Sequence, residues 1–112
     1  MRRRLAVAVL ILGVITFVGR SVSWAEKSHL AEALEHTQAA VEHGKAGHAD
    51  VLVTHATAAL QHAEAAEKAK ANPHTDAAVN GLKEAIEHGK AGHADVATKA
   101  AEGALTHLKA VK

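Results

Sequence analysis

The stretch Glu42-His43-Gly44-Lys45-Ala46-Gly47-His48-Ala49-Asp50-Val51 returns without a change at Glu87 to Val96, an offset of 45 residues. A period of that length marks one supersecondary unit used twice. At the same offset 18 of the 39 positions from His29 to Glu67 are identical, so the unit reaches well beyond the block, with copies at about residues 29–71 and 74–112. The copies meet at Asn72-Pro73. Asn suits the N-cap of a helix and Pro its first position.

Working outward, Leu30, Ala33, Leu34, Thr37, Ala40 and Val41 recur at spacings of three and four, the pattern of one apolar helical face. The second copy repeats the face as Thr75, Ala78, Val79, Leu82, Ala85 and Ile86. After the block, a further stripe runs through Leu52, Ala56, Ala59, Leu60 and Ala63, matched by Ala97, Ala101, Ala104, Leu105 and Leu108. Between the stripes of each copy lies Gly-Lys-Ala-Gly. Its first glycine is expected to adopt the left-handed conformation that ends a helix, its second to let the chain turn back tightly, with Asp50 or Asp95 near the third position of the next helix. Connections this short make the joined helices antiparallel neighbours. The expected fold is therefore all-α, an up-down-up-down antiparallel four-helix bundle made of two repeated helical hairpins, with helices at about 28–43, 48–70, 73–88 and 93–110. Alanine-rich stripes bury little apolar area at about 25 cal/mol per Å², so the metal-free bundle is expected to be only marginally stable.

The N-terminus reads differently. Arg2, Arg3 and Arg4 precede an apolar run from Leu5 to Val18, and Ser23-Trp24-Ala25 follows with small residues at the −3 and −1 positions of a cleavage site. The run is short of the roughly 20 residues of a membrane span. Residues 1–25 are thus expected to be a secretory signal peptide cleaved after Ala25, leaving a periplasmic domain of residues 26–112; an uncleaved anchor is the competing reading. Cleavage removes Met1, Phe17 and Trp24, the only such residues of the chain, and four of its 13 Lys and Arg, so nine cations face 12 acids and the net charge becomes −3. Without a basic face or aromatic stacking residues, nucleic-acid binding is excluded. No cysteine is present, so the domain is held by its core, by metal or by assembly rather than by disulfides. After signal removal no membrane association is expected, and a monomer is.

All ten histidines, His29, His36, His43, His48, His55, His62, His74, His88, His93 and His107, fall in that domain. Seven residues return nearly to the same side of a helix, with a drift of about 20°. His29, His36 and His43 are seven apart, as are His48, His55 and His62, while His74 and His88, and His93 and His107, are fourteen apart. Neighbours on one stripe are about 10.5 Å apart along the axis, too far to share an ion, so second ligands must come from a facing helix. Facing residues of an antiparallel pair have a constant sum of numbers. His43 with His48, His36 with His55 and His29 with His62 all sum to 91; His88 with His93 and His74 with His107 sum to 181. Each hairpin is then a ladder of histidine pairs. The middle rung of the second copy is replaced on both sides, by Gly81 and Ala100.

Imidazole is a common ligand of copper, zinc and nickel. Two imidazoles leave positions to fill, for which Glu32, four residues before His36, and Glu84, four before His88, are candidates, with water completing the shell. In such N/O sites the Irving–Williams order favours Cu(II), ahead of Zn(II) and Ni(II). The heptad histidines, the twice-used block and the Asn72-Pro73-His74-Thr75 junction together resemble the small metal-binding protein family, periplasmic histidine-rich four-helix bundles that bind copper and other divalent metals. The resemblance covers essentially the whole exported domain and implies a role in copper sequestration or tolerance. The chain departs from the family pattern at Gly81 and Ala100 and has no histidine-rich C-terminal tail, which lowers the expected capacity of the second hairpin. Enzymatic roles fit poorly: c-type haem attachment needs cysteine, and the Glu-X-X-His of di-iron bundles occurs once, at Glu26 to His29. The alternative is a structural or pH-responsive helical interaction protein with no physiological metal.

Overall fold

The Ser28 hydroxyl accepts a hydrogen bond from the Ala31 backbone N–H at 3.1 Å and so starts the first helix, with Glu32 in its first turn. From there the computed structural model describes residues 28–112; the expected signal peptide and its cleavage site lie outside the described residues. Four helices follow, α1 His29–Lys45, α2 Ala49–Ala69, α3 Pro73–Lys90 and α4 Ala94–Lys109. At the junction of the hairpins Asn72 caps α3 by accepting from His74 N–H at 2.8 Å, and Pro73 takes the first helical position, where no N–H is needed. Each helix packs on its two neighbours in the cycle α1, α2, α3, α4, which is the up-down-up-down bundle.

Both hairpin turns close in the same way. The His48 N–H bonds back to His43 O at 2.9 Å and the Gly47 N–H to Gly44 O at 3.0 Å; His93 to His88 and Gly92 to Gly89 repeat the pair at 2.9 and 3.0 Å. This nested pattern is the Schellman motif. It reverses the roles expected for the two glycines. The second glycine is the left-handed one, with φ of +85° at Gly47 and +83° at Gly92. Gly44 and Gly89 instead lie within α1 and α3 and are buried. A methyl on Gly44 would collide with the Thr98 hydroxyl and lie 2.6 Å from Leu52 Cδ1, so Gly44 is where α1 closes on α2 and α4 together. Asp50 and Asp95 occupy the second helical position, one earlier than expected, and each accepts from the next backbone N–H at 2.9 Å.

The expected stripes form the core. Ten of its fifteen buried apolar residues are alanine, and the largest side chains sealed from water are Leu52, Leu82 and Leu108. Leu30, Leu34, Leu60, Ile86 and Leu105 pack against this core from its margin. Buried threonines cost no unmet hydrogen bonds: Thr37 donates to Ala33 O and Thr98 to Ala94 O, each at 2.6 Å. Such a core holds helices close together on small side chains.

Gly103 supplies the control for Gly44, since it too is helical yet a methyl there meets nothing within 4 Å. In urea denaturation of the metal-free protein, Gly103→Ala should gain about 1 kcal/mol from helix propensity. Gly44→Ala should lose stability on balance, as overpacking of about 1–3 kcal/mol outweighs the same gain. Equal gains for both variants would show that the close approach at Gly44 has no energetic weight.

Candidate metal centre

Since α1 packs on α2 and α3 on α4, the two histidine ladders occupy opposite seams of the bundle. The pairs are those that the constant sums require. His29 and His62 face each other with Nδ1 atoms 3.1 Å apart, His36 and His55 at 3.5 Å, and His74 and His107 at 3.3 Å. The two rungs beside the turns are wider: His43 with His48, and His88 with His93, have ring centroids 6.3 Å apart in both hairpins. His48 and His93 are the N-cap residues of α2 and α4, and their side chains make no capping bond. His36, His43, His55, His62, His88 and His107 are half-buried, while His29, His48, His74 and His93 are exposed.

These separations have a chemical meaning. With metal–nitrogen bonds of about 2.0–2.1 Å, two nitrogens on one ion lie about 2.8 Å apart at a right angle and about 3.4 Å apart at the tetrahedral angle. Two of the three close rungs fall within that range and the His36–His55 rung lies at its edge. Without metal the same approach is a hydrogen bond in which one Nδ1 donates and the other accepts. A rung can therefore be neutral and paired, but both of its rings cannot be protonated without repulsion.

The first ladder is also connected between rungs, which the sums do not foresee. His36 stacks on His62 with centroids 5.9 Å apart, and His43 on His55 at 5.3 Å, both within 4° of parallel. Helical side chains lean toward their own N-terminus. Along antiparallel helices that lean lowers the rings of α1 and raises those of α2, bringing His36 toward His62 and His43 toward His55. The six rings thus form one zigzag column. Applying the lean rule to the sequence would have picked out these two diagonals.

Glu32 joins the column. It is half-buried, one turn before His36, and one oxygen of it with one nitrogen each of His36 and His62 make a group whose atoms all lie within 4.8 Å of one another. Among the described residues no other group of three such donors forms. Glu84, the other candidate carboxylate, is exposed and belongs to no such group. The second ladder has no diagonal, because Gly81 and Ala100 replace the middle rung; an open cleft remains there, lined by Ala77, Gly81, Ala100 and His107. Another open cleft lies beside the turns, lined by Gly44, Gly92 and Thr98 and by no histidine.

Electrostatically one ring stands apart. Burial first, and then the neighbouring His43 and His36, lower the pKa of His55 below its ordinary value of 6.5. It lies between its rung partner His36 and its stacking partner His43, the two rings whose charge lowers it.

A helical scaffold that sets imidazoles in opposed pairs, with a carboxylate at one crossing, is a metal-binding bundle. The chain belongs to the small metal-binding protein family, whose family model matches residues 3–111. That family is one of metal binders and not of enzymes. No curated protein matches the chain.

The lowered pKa fixes a sign. Below pH 6.5 the unfolded chain protonates His55 more readily than the folded one, so stability falls as pH drops through 6.5 and levels off below the folded value. In metal-free buffer the urea midpoint should therefore fall between about pH 7.5 and 5.5, and His55→Ala should flatten the fall. An unchanged slope in the variant would mean that crowding in the column places no burden on His55.

Proposed function

We propose that this protein binds and sequesters divalent transition metals in the periplasm, Cu(II) first and Zn(II) or Ni(II) after it, through the ten histidines, acting as a monomer and without catalysis. One observation carries the reading: three rungs hold two imidazole nitrogens at about the separation that one ion requires. Little reorganisation is needed to bind. The donor set of imidazole, carboxylate and water has no thiolate, which suits Cu(II) over Cu(I). Export is supported by the arginine-led apolar segment before Ala25. No helix among the described residues is long and apolar enough to cross a membrane. Because each rung joins two helices, bound metal staples an alanine-rich core that is weak by itself.

The second hairpin offers the cleanest test, as its rungs have no diagonal contacts. Isothermal titration with Cu(II) should show several equivalents bound at pH 7.5. His74→Ala and His107→Ala should each abolish the same site, and the double variant should lose little more, whereas His74→Ala with His88→Ala should lose two sites additively. Additive loss for His74 with His107 would refute the paired sites even in a protein that still binds copper. Cu(II) should also raise the melting temperature, since binding to the folded geometry alone adds RT ln(1 + [L]/Kd) per site.

A further inference from the structure

We propose that Glu32, His36 and His62 form a three-donor site that captures the first metal ion, and that the first hairpin moves to its paired rungs only as more metal arrives. This rests on the metal-binding reading above. Two facts of the structure lead to it. Glu32, His36 and His62 are all half-buried and bring one donor atom each within 4.8 Å of the others. An ion there gains three protein ligands, one of them charged, whereas each rung supplies two neutral ones.

The second fact is that this site and the rungs compete. A neutral imidazole has one lone pair, its other nitrogen carrying the proton, so each histidine serves one ion. His62 is the rung partner of His29 and His36 is the rung partner of His55. Filling the diagonal therefore leaves His29 and His55 without their partners. With scarce metal the three-ligand arrangement wins, because one tight site binds more strongly than one open pair. With abundant metal the three rungs hold more ions than the diagonal does, and the column converts. The second hairpin lacks this device: the positions corresponding to Glu32 and His36 are Ala77 and Gly81, and of the three donors only His107 remains. The copies would differ in kind, one grading its affinity with load and the other offering isolated pairs.

The experiment is titration of the full chain with Cu(II) sulfate, with the first step measured by competition against a chelator and the total by equivalents bound at saturation. Even outer-shell partners of metal ligands are worth about 10–100-fold in affinity, so Glu32→Gln should weaken the first step by about tenfold or more. It should leave the total unchanged, since the rungs need no carboxylate. His29→Ala should do the reverse, keeping the first step and lowering the total. Glu42→Gln removes an exposed charge beside His43 and should change neither. A first step untouched by Glu32→Gln, or weakened as much by His29→Ala or Glu42→Gln, overturns the three-donor site while leaving paired binding intact. Absence of Cu(II) uptake by the unaltered chain would sink both readings.

Discussion

The backbone hydrogen bond from His48 N–H to His43 O, with its twin from His93 to His88, is the constraint from which the rest of the molecule follows. It is the long bond of the Schellman turn, and it joins the two residues of the uppermost rung. Once that pair is fixed, antiparallel helices fix every pair below it, and a seven-residue spacing returns each histidine to the same seam. Register here is set by a turn and carried downward by periodicity. A one-residue change in the turn would set histidine opposite a non-ligand at every level.

The core serves that register rather than dominating it. With ten alanines among fifteen buried apolar residues, the helices approach closely, and Gly44 and Gly89 allow closer approach still at the turn end. Close helices bring facing imidazole nitrogens to 3.1–3.5 Å instead of leaving them in separate solvent shells. The same choice sacrifices apolar burial, since a methyl group removes little area from water. Stability and ligand spacing are thus opposed through one variable, the interhelical distance. On the proposed function, an ion bound between the helices would relieve the opposition by adding free energy that the small side chains do not supply.

The two copies use a common scaffold unequally. Their turns, caps and terminal rungs agree closely, with centroids at 6.3 Å beside both turns and at 5.3 and 5.5 Å at the far ends. They differ in the middle, where His36 and His55 make a continuous column and Gly81 and Ala100 leave a gap. A methyl on Gly81 would sit 3.3 Å from Ala100 O and from Ala104 Cβ, so α3 passes close to α4 at this position even though the missing side chains leave an open cleft beside it. Helix propensity alone would favour a side chain at that position; the packing there opposes one.

By itself the sequence determined the four helices, the capping roles of Asn72 and Pro73, the core stripes and all five rungs, because each depends only on residue propensity, helical periodicity and a short turn that forces antiparallel pairing. Tertiary structure decided what depends on small distances between backbones. It made Gly47 and Gly92 the left-handed residues, since Gly44 and Gly89 were needed inside their helices for close packing. It joined His36 to His62 and brought in Glu32, since number sums locate Cα atoms while donors sit at the ends of side chains that lean oppositely on antiparallel helices. Periodicity says which residues share a level; only the separation and lean of the packed helices say which of their nitrogens and oxygens meet.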